Sequence, residues 1–144
     1  MKVSKEQIEY FIPQRAPFIM VDNLIEATPD KFETDFQILS DNIFLEEGVL
    51  REFALIENIA QSSAAGIGFL NKSSNIEGPK DGFIGGISKL KVYELPKVND
   101  KIYTIVTKLH QLGNMYLLKG ENFVNGRILI ECEVKLAGIN YESY

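Results

Sequence analysis

The sequence has one cysteine, one histidine and no tryptophan among its 144 residues. A lone cysteine, Cys132, cannot form an internal disulfide, which is typical of a protein in a reducing compartment. One histidine, His110, and one cysteine cannot build a His/Cys metal cluster, so the sequence predicts no metal site. It also lacks the Gly-x-Ser-x-Gly segment of serine hydrolases and the glycine spacing of nucleotide-binding loops. We therefore expect no metal and no bound cofactor.

The chain has no excess of basic residues. Fifteen Lys and Arg against 20 Asp and Glu give a formal net charge of −5 at pH 7. Nucleic acids and anionic membranes bind basic stripes, so neither is a predicted partner. The longest apolar segment is interrupted by Glu57, Asn58 and Gln61, which argues against a membrane span. The charged N-terminal residues leave no apolar signal-peptide core, so we expect a cytoplasmic protein.

The apolar residues that are present suffice for one folded domain, predicted to span residues 1–144, since 45% of the chain is hydrophobic. Residues 18–27 and 31–40 are predicted to form a β-hairpin, the second segment with the alternation of a half-buried strand. Residues 53–70, FALIENIAQSSAAGIGFL, form one apolar helical pattern. Further strands are predicted at 83–95 and 101–112 and on both sides of the turn VNGR (124–127).

This order predicts an α+β domain with a hot-dog-like plan, in which a curved antiparallel sheet wraps around one long central helix. A short amphipathic helix is predicted at 4–11, with Ser4 as its N-cap.

Glu57 lies near the start of the long helix in an apolar setting. It shares a helix face with small or apolar side chains and with Gln61, one turn further on. Partial dehydration favours the protonated form of a carboxyl group, which suits general acid–base chemistry, and Gln61 could orient it by a hydrogen bond. The alternative is structural, because a glutamate near a helix N-terminus is stabilised by the helix dipole.

Three segments resemble parts of a known family. IPQRAPFIMVD (12–22) is similar to Pro-His-Arg-x-Pro-Phe-Leu-Leu-Val-Asp, with Gln14 in place of the histidine. ENIAQ (57–61) is similar to Glu-Ala-x-Ala-Gln, and FIGGISKLKV (83–92) resembles the strand that follows. On these motifs the chain, from about Ile8 to Gly138, resembles the bacterial (3R)-3-hydroxyacyl-[acyl-carrier-protein] dehydratases, which have a hot-dog fold.

That resemblance implies a function and two catalytic residues. It puts Glu57 on the family's catalytic carboxylate and Gln61 on its glutamine. It implies an acyl thioester substrate, carried on the phosphopantetheine of acyl-carrier protein or of coenzyme A, with no further cofactor. The chain also resembles the divergent dehydratase-like proteins encoded with aryl-polyene or related pigment pathways.

One departure from the family concerns its second catalytic group. The family carries a histidine before the helix as acid–base partner of the glutamate, and counting back from Glu57 puts this position on Ile43. The following phenylalanine is retained as Phe44. Isoleucine cannot transfer protons, so this chain alone lacks half of the dehydratase machinery.

Three functions remain open at this point. The first is a dehydratase-like subunit of fatty-acid or polyene-type synthesis, which forms a homodimer or pairs with a paralogous dehydratase so that Glu57 meets the partner's histidine. The second is a hot-dog thioesterase that uses Glu57 alone, with backbone N–H groups near Glu52 and Phe53 polarising the thioester carbonyl. The third is a non-catalytic acyl-binding or scaffold subunit.

All three functions predict an acyl-binding tunnel and a basic docking surface. The predicted tunnel runs along the helix and is lined by Phe44, Phe53, Ile56, Ala60, Phe83, Ile84, Gly85 and Gly86. Gly85 and Gly86 either let the pantetheine arm approach the backbone closely or form a bulge. Because carrier proteins are acidic, docking needs local basic residues, for which the candidates are Arg15, Arg51, Lys89 and Lys91, with Lys97 and Lys101 in addition.

Overall fold

The computed structural model describes residues 1–73 and 81–139, with side chains for all of these except 81–83 and 139. One long helix, α1, spans Glu52–Ser73. The strands are β1 (Asn23–Ala27), β2 (Lys31–Gln37), β3 (Leu45–Glu46), β4 (Val49–Leu50), β5 (Asp81–Val92), β6 (Lys101–Leu112), β7 (Met115–Val124) and β8 (Arg127–Ile139). Strands β3 and β4 form a small hairpin of their own.

The other six strands form one antiparallel sheet in the order β1-β2-β6-β7-β8-β5, and α1 contacts every strand of it. The sheet therefore wraps around the helix, and the predicted α+β plan with one central helix is confirmed. No helix in the described part of the chain combines the length and the apolar character that crossing a membrane requires.

Two glycines let the helix lie close to the sheet. A Cβ at Gly66 of α1 would overlap the ring of Phe32 on β2, and a Cβ at Gly120 of β7 would overlap the side chain of Ile59 on α1. Phe32 and Ile59 are both buried in the main hydrophobic cluster. Interiors are packed to the density of organic crystals, so this approach leaves no room for even one added methyl group.

The helix also contacts the sheet through a buried polar network. Thr104 Oγ1 and Asn122 Nδ2 both donate to Asn58 Oδ1, at 2.6 and 2.9 Å, and Thr34 Oγ1 lies 2.6 Å from Ser62 Oγ. All five side chains are fully buried. Buried polar groups need partners with defined geometry, so the network fixes the rotation and the height of α1 relative to β2, β6 and β7.

The hairpin turns follow from local sequence. Asn125 and Gly126 both have positive φ, 50° and 78°, as a type I′ turn requires. At the β6–β7 turn Gly113 has φ 61°, which matches the first central position of a type II′ turn.

Two predicted elements differ in the structure. The predicted helix at 4–11 is only a 3₁₀ turn at Ile8–Tyr10, and its N-cap is Gln7 rather than Ser4, with no side-chain capping bond. The N–H of Lys5 bonds to Asn23 Oδ1 instead of capping a helix, and the segment before Pro13 is too short to sustain an α-helix. Strand β1 begins at Asn23 rather than at Phe18, because backbone groups of Phe18 and Met20 bond to side chains of α1 instead of to a neighbouring strand.

Candidate active site

Glu57 lies in the second turn of α1 and is partly buried. Its Oε1 accepts a 3.0 Å hydrogen bond from Gln61 Nε2, the bond that the i, i+4 spacing predicts. No described residue bonds to Oε2. One carboxylate oxygen is thus occupied, and the other is available for a proton or a ligand.

Gln61 is held in a single orientation. Its Nε2 also donates to the carbonyl of Phe18 at 2.9 Å, and its Oε1 accepts the N–H of Met20 at 2.6 Å. A flipped amide would place N–H against N–H and oxygen against oxygen, so this network fixes which atom faces Glu57. Gln61 therefore positions Glu57, and at the same time it satisfies the backbone that enters β1.

A cavity of about 160 Å³ opens beside Glu57. Its remaining lining is mostly apolar and comes from α1, from two neighbouring strands and from the segment before Met20: Pro13, Gln14, Ala60, Ala64, Ile84 and Leu136. Electrostatic interactions of a carboxyl group are stronger in such apolar surroundings than in bulk water.

Gln14 is the other polar side chain in this lining. Its Oε1 is buried and has no hydrogen-bond partner among the described residues. An unsatisfied buried acceptor costs about 1–3 kcal/mol. The segment is held by Arg15, whose Nη1 donates to the carbonyls of Ile12 and Gln14 at 2.8 and 2.7 Å. Nη1 of Arg15 is thus already bonded to the protein's own backbone.

The predicted tunnel residues fall into two groups. Ala60 and Ile84 line the cavity with Glu57. Phe53 is 66% exposed and packs against Phe44, with ring centroids 5.9 Å apart, while Ile56 packs on the main core. None of these three lines the cavity, and their predicted role in binding stays a prediction.

The residues predicted on β5 lie where the pairing of this strand with β8 is irregular. The side chain of Phe83 is outside the described part of the structure, although its backbone pairs with Ala137. The register shifts between Ile84 and Gly86, so a bulge occurs at Gly85. A Cβ at either glycine would meet Lys135 only at ordinary contact distance, 3.8 or 3.9 Å.

The segment before α1 supplies no proton-transfer group at Ile43. That side chain is 47% exposed, so it would meet a partner subunit or solvent rather than the protein core. No histidine lines the cavity in the described structure. Burial raises the pKa of the Cys132 thiol to about 11, which keeps it protonated and excludes it as a nucleophile at neutral pH. Glu57 is therefore the one proton-transfer group found in this lining.

A larger groove, about 610 Å³, lies elsewhere between the N-terminal segment and β2. Four carboxylates and a single cation line it, namely Glu6, Glu9, Asp22, Asp41 and Lys5. Burial raises the pKa of Asp22, with nearby Asp35 adding to the effect. The negative charge of this groove disfavours phosphate-bearing ligands, and the cavity beside Glu57 is the candidate site.

The predicted docking residues differ in whether their charged groups already bond to other groups of the chain. Arg15 bonds its own backbone; Arg51 pairs with Glu46 and Glu52, at 3.9 and 3.4 Å; and Lys89 pairs with Glu133 at 3.2 Å. Lys91 makes no ion pair within the described structure. It lines a surface cavity of about 370 Å³ with Lys89 and Lys119.

The sheet wrapped around one helix is the hot-dog fold, and it places an acidic residue of that helix beside a mostly apolar cavity. The chain matches the ApeP-like family model, described as ApeP dehydratase, over residues 6–140. It is 30% identical over 138 residues to the 3-hydroxyacyl-[acyl-carrier-protein] dehydratase FabZ of Oceanobacillus iheyensis, an alignment that spans 92% of this chain and 96% of that protein.

Two solved structures show the same fold. The dehydratase heterocomplex ApeI:P from Xenorhabdus doucetiae superposes with a TM-score of 0.87 at 17% identity, over 93% of this chain and 91% of that one. A hypothetical thioesterase from Streptococcus pneumoniae, solved with coenzyme A, gives 0.63 at 12% identity, over 82% and 85%. This chain belongs to the ApeP-like family.

Proposed function

We propose that this protein supplies the acid of a composite site that removes water from 3-hydroxyacyl thioesters, with the base coming from a partner hot-dog subunit. The observation that carries the proposal is a cavity in which Glu57 is oriented by Gln61 and whose described lining residues include no histidine. The dehydratase heterocomplex ApeI:P from Xenorhabdus doucetiae has the same fold, which supports pairing with a second kind of subunit.

The chemistry follows from one positioned carboxylic acid. The partner's base takes the proton from C2 of the acyl chain, and the electron pair forms the C2–C3 double bond. The C3–O bond breaks as the hydroxyl receives the Glu57 proton and leaves as water. Glu57 is then reprotonated from the partner's base or from solvent, which closes the cycle. The Oε2 atom is the one that carries this proton, because Oε1 already accepts from Gln61.

The free edge of β5 supports a site for the partner. In the described sheet β5 pairs only with β8, so its other edge presents unsatisfied backbone groups. Exposed apolar side chains follow this strand, among them Ile87, Leu90, Val92 and, just after it, Tyr93. A second hot-dog subunit that extends the sheet here would satisfy the backbone and bury those side chains.

We further propose that the substrates are acyl chains of fatty-acid or polyene-type synthesis. The FabZ relative is a dehydratase of acyl-carrier-protein substrates by name. The tunnel residues and the basic residues predicted from the sequence serve this substrate, with Lys91 and Lys97 the candidates that make no ion pair within the described structure.

The test is to co-express the tagged protein with the hot-dog dehydratases of the same genome and to assay the co-purified complexes. Glu57→Gln should lower the turnover of a 3-hydroxyacyl-carrier-protein substrate by about 10²- to 10⁴-fold. Glu52→Gln, the same change five residues earlier on α1, is the control and should leave turnover within a few-fold. Failure to form any stable complex, or full activity of Glu57→Gln, would overturn the proposal.

The same protein tests the two other functions. Release of free thiol from acyl-coenzyme A by the isolated protein, dependent on Glu57, would make it a thioesterase. A stable complex whose activity is unaffected by Glu57→Gln would make it a scaffold.

A further inference from the structure

The cavity beside Glu57 follows one face of α1. Glu57, Ala60 and Ala64 all line it, and with a rise of about 1.5 Å per residue the run from Glu57 to Ala64 is about 10 Å long. The two alanines have the smallest side chains of the lining, so they leave the space that a ligand can fill along the helix. In the described lining, no residue of α1 after Ala64 takes part.

The same helix face is covered one turn beyond Ala64. A Cβ at Gly68 would lie 3.0 Å from the carbonyl oxygen of Phe11, so the N-terminal segment lies directly against α1 at this point. The ring of Phe11 packs against the ring of Phe69, with centroids 6.0 Å apart. A ligand that extends along α1 from Glu57 therefore meets packed protein once it has passed Ala64.

The other end of this helix face is accessible. Phe53 lies one turn before Glu57, and it is 66% exposed. A thioester can therefore approach Glu57 from the N-terminal end of α1. With C3 of the substrate beside Glu57, the tail from C4 onward extends toward Ala64.

The dimensions of the cavity limit the length of that tail. With C–C bonds of about 1.5 Å an extended chain advances about 1.3 Å per carbon, so a run of about 10 Å takes about eight carbons. The cavity volume of about 160 Å³ gives about five methylene groups, if each occupies roughly the 30 Å³ of a water molecule. Counted from C3, the two figures correspond to acyl chains of about 8 to 11 carbons.

We infer that Ala64 marks the far end of the acyl-binding cavity and limits the substrates to acyl chains of about ten carbons or fewer, an inference that rests on the proposed function. A larger side chain at Ala64 shortens the cavity without filling the space beside Glu57. The same substitution at Ala60, one turn closer, fills that space. The position along the helix therefore predicts which chain lengths each substitution affects.

The test measures the affinity of the purified protein for 3-hydroxyacyl pantetheine ligands of increasing chain length, in which an amide replaces the thioester. Affinity should rise about three- to fourfold with each carbon that enters the cavity and stop rising near about ten carbons. Ala64→Leu adds three carbons to the side chain, so it should lower this limit by about three carbons and leave the shortest ligand within about twofold. Ala60→Leu is the matched comparison and should weaken the binding of ligands of every length.

Three outcomes would overturn the role of Ala64. They are an affinity that rises without a break to the longest ligand, a limit that Ala64→Leu leaves unmoved, and an equal loss at every length, which is what a purely structural role predicts. Ala64→Val, a smaller change, should lower the limit by less than Ala64→Leu does, and thermal unfolding establishes that each variant is folded. Failure of every ligand to bind would overturn the inference together with the proposed substrate class. Full activity of the Glu57→Gln complex would overturn the proposed chemistry alone and leave the length limit standing.

Discussion

Gln61 Nε2 donates to Glu57 Oε1 at 3.0 Å while the rest of the Gln61 amide is bonded to the backbone of Phe18 and Met20. One fully buried side chain thus serves both the acid and the entry to the sheet. Gln61→Met, of similar shape, leaves an N–H and a carbonyl unpaired, so we expect the free energy of unfolding to fall by about 2 kcal/mol.

Turnover of the Gln61→Met complex should also fall, by about 10-fold or more, because Glu57 loses the bond that orients it. Urea unfolding and steady-state kinetics measure the two effects. Asn42→Ala, which removes a side chain near Met20 without touching Glu57, is the control for stability alone. A stability loss with unchanged kcat would show that Gln61 has only a structural role.

The close approach of α1 to β2 gives a second prediction. Gly66→Ala forces a methyl group against the ring of Phe32, a cost that outweighs the better helix propensity of alanine. We expect the free energy of unfolding to fall by about 1–2 kcal/mol. Gly85→Ala, whose Cβ would have its nearest contact at 3.8 Å, should change stability by less than about 0.5 kcal/mol.

A double-mutant cycle with Phe32→Ala identifies the cause. In that background the methyl group meets no ring, so Gly66→Ala should be neutral or stabilising. An undiminished cost would mean that the backbone of α1, rather than Phe32, resists the substitution.

Some features of the molecule follow from local sequence and others do not. The strand at 101–112 and the Asn125-Gly126 turn were predictable because side-chain alternation and φ preference act over a few residues. The Glu57–Gln61 bond was predictable for the same reason, since helix spacing alone brings the two side chains together.

The remaining features depend on which elements meet. Residues 18–22 have an apolar strand-like sequence, yet backbone groups of Phe18 and Met20 bond to the side chains of Gln61 and Asn58, 38 to 43 residues away. Asn122 is a polar residue at an inward strand position, a signal of a buried network whose partners only the fold reveals. Gln14 stood out solely as a substitution in a motif, because the burial of its side-chain oxygen depends on the assembled fold.

Two carboxylates should affect stability with opposite pH dependence. Burial raises the pKa of Asp22 in the folded state. The Asp22 carboxyl group therefore stabilises the fold fully below its unfolded-state pKa, about 4. This contribution is lost as the pH rises through the folded-state pKa. Asp22→Asn keeps an oxygen that can accept the N–H of Gln37. Relative to the unmodified protein, this variant should therefore be more stable at pH 7 than at pH 3.

Glu33 provides a control in which the pH dependence of stability has the opposite sign. The hydroxyl of Tyr103 and then Lys31 lower the pKa of Glu33, so its contribution is present above the unfolded-state pKa and is lost as pH falls through the folded value. Glu33→Gln should destabilise at pH 7 and have no effect near pH 3. Urea unfolding between pH 3 and 7 measures both variants, and parallel curves would contradict the assignment.

The free edge of β5 should be the surface that binds a second subunit. Leu90 and Val92 are 42% and 45% exposed, and Leu90→Glu would place a charge in any interface formed there. We expect Leu90→Glu to abolish co-purification of the partner and any self-association in sedimentation. Leu112→Glu, at the exposed β6–β7 turn, should retain both, and equal losses in the two variants would indicate misfolding instead.

Lys91 should contribute to docking of the carrier protein. Arg15, Arg51, Lys89 and Lys101 already bond to other groups of the chain, so Lys91, like Lys97, has a cationic side chain available to an acidic carrier. Lys91→Glu should raise KM for a carrier-protein substrate about 3- to 10-fold, with a smaller effect at high salt. Its KM for the coenzyme A substrate should stay unchanged, because that substrate lacks the carrier's acidic surface. Lys108→Glu on β6, the same charge reversal on another strand, is the control. Equal effects of Lys91→Glu on both substrates would place Lys91 at the pantetheine arm and not at the carrier.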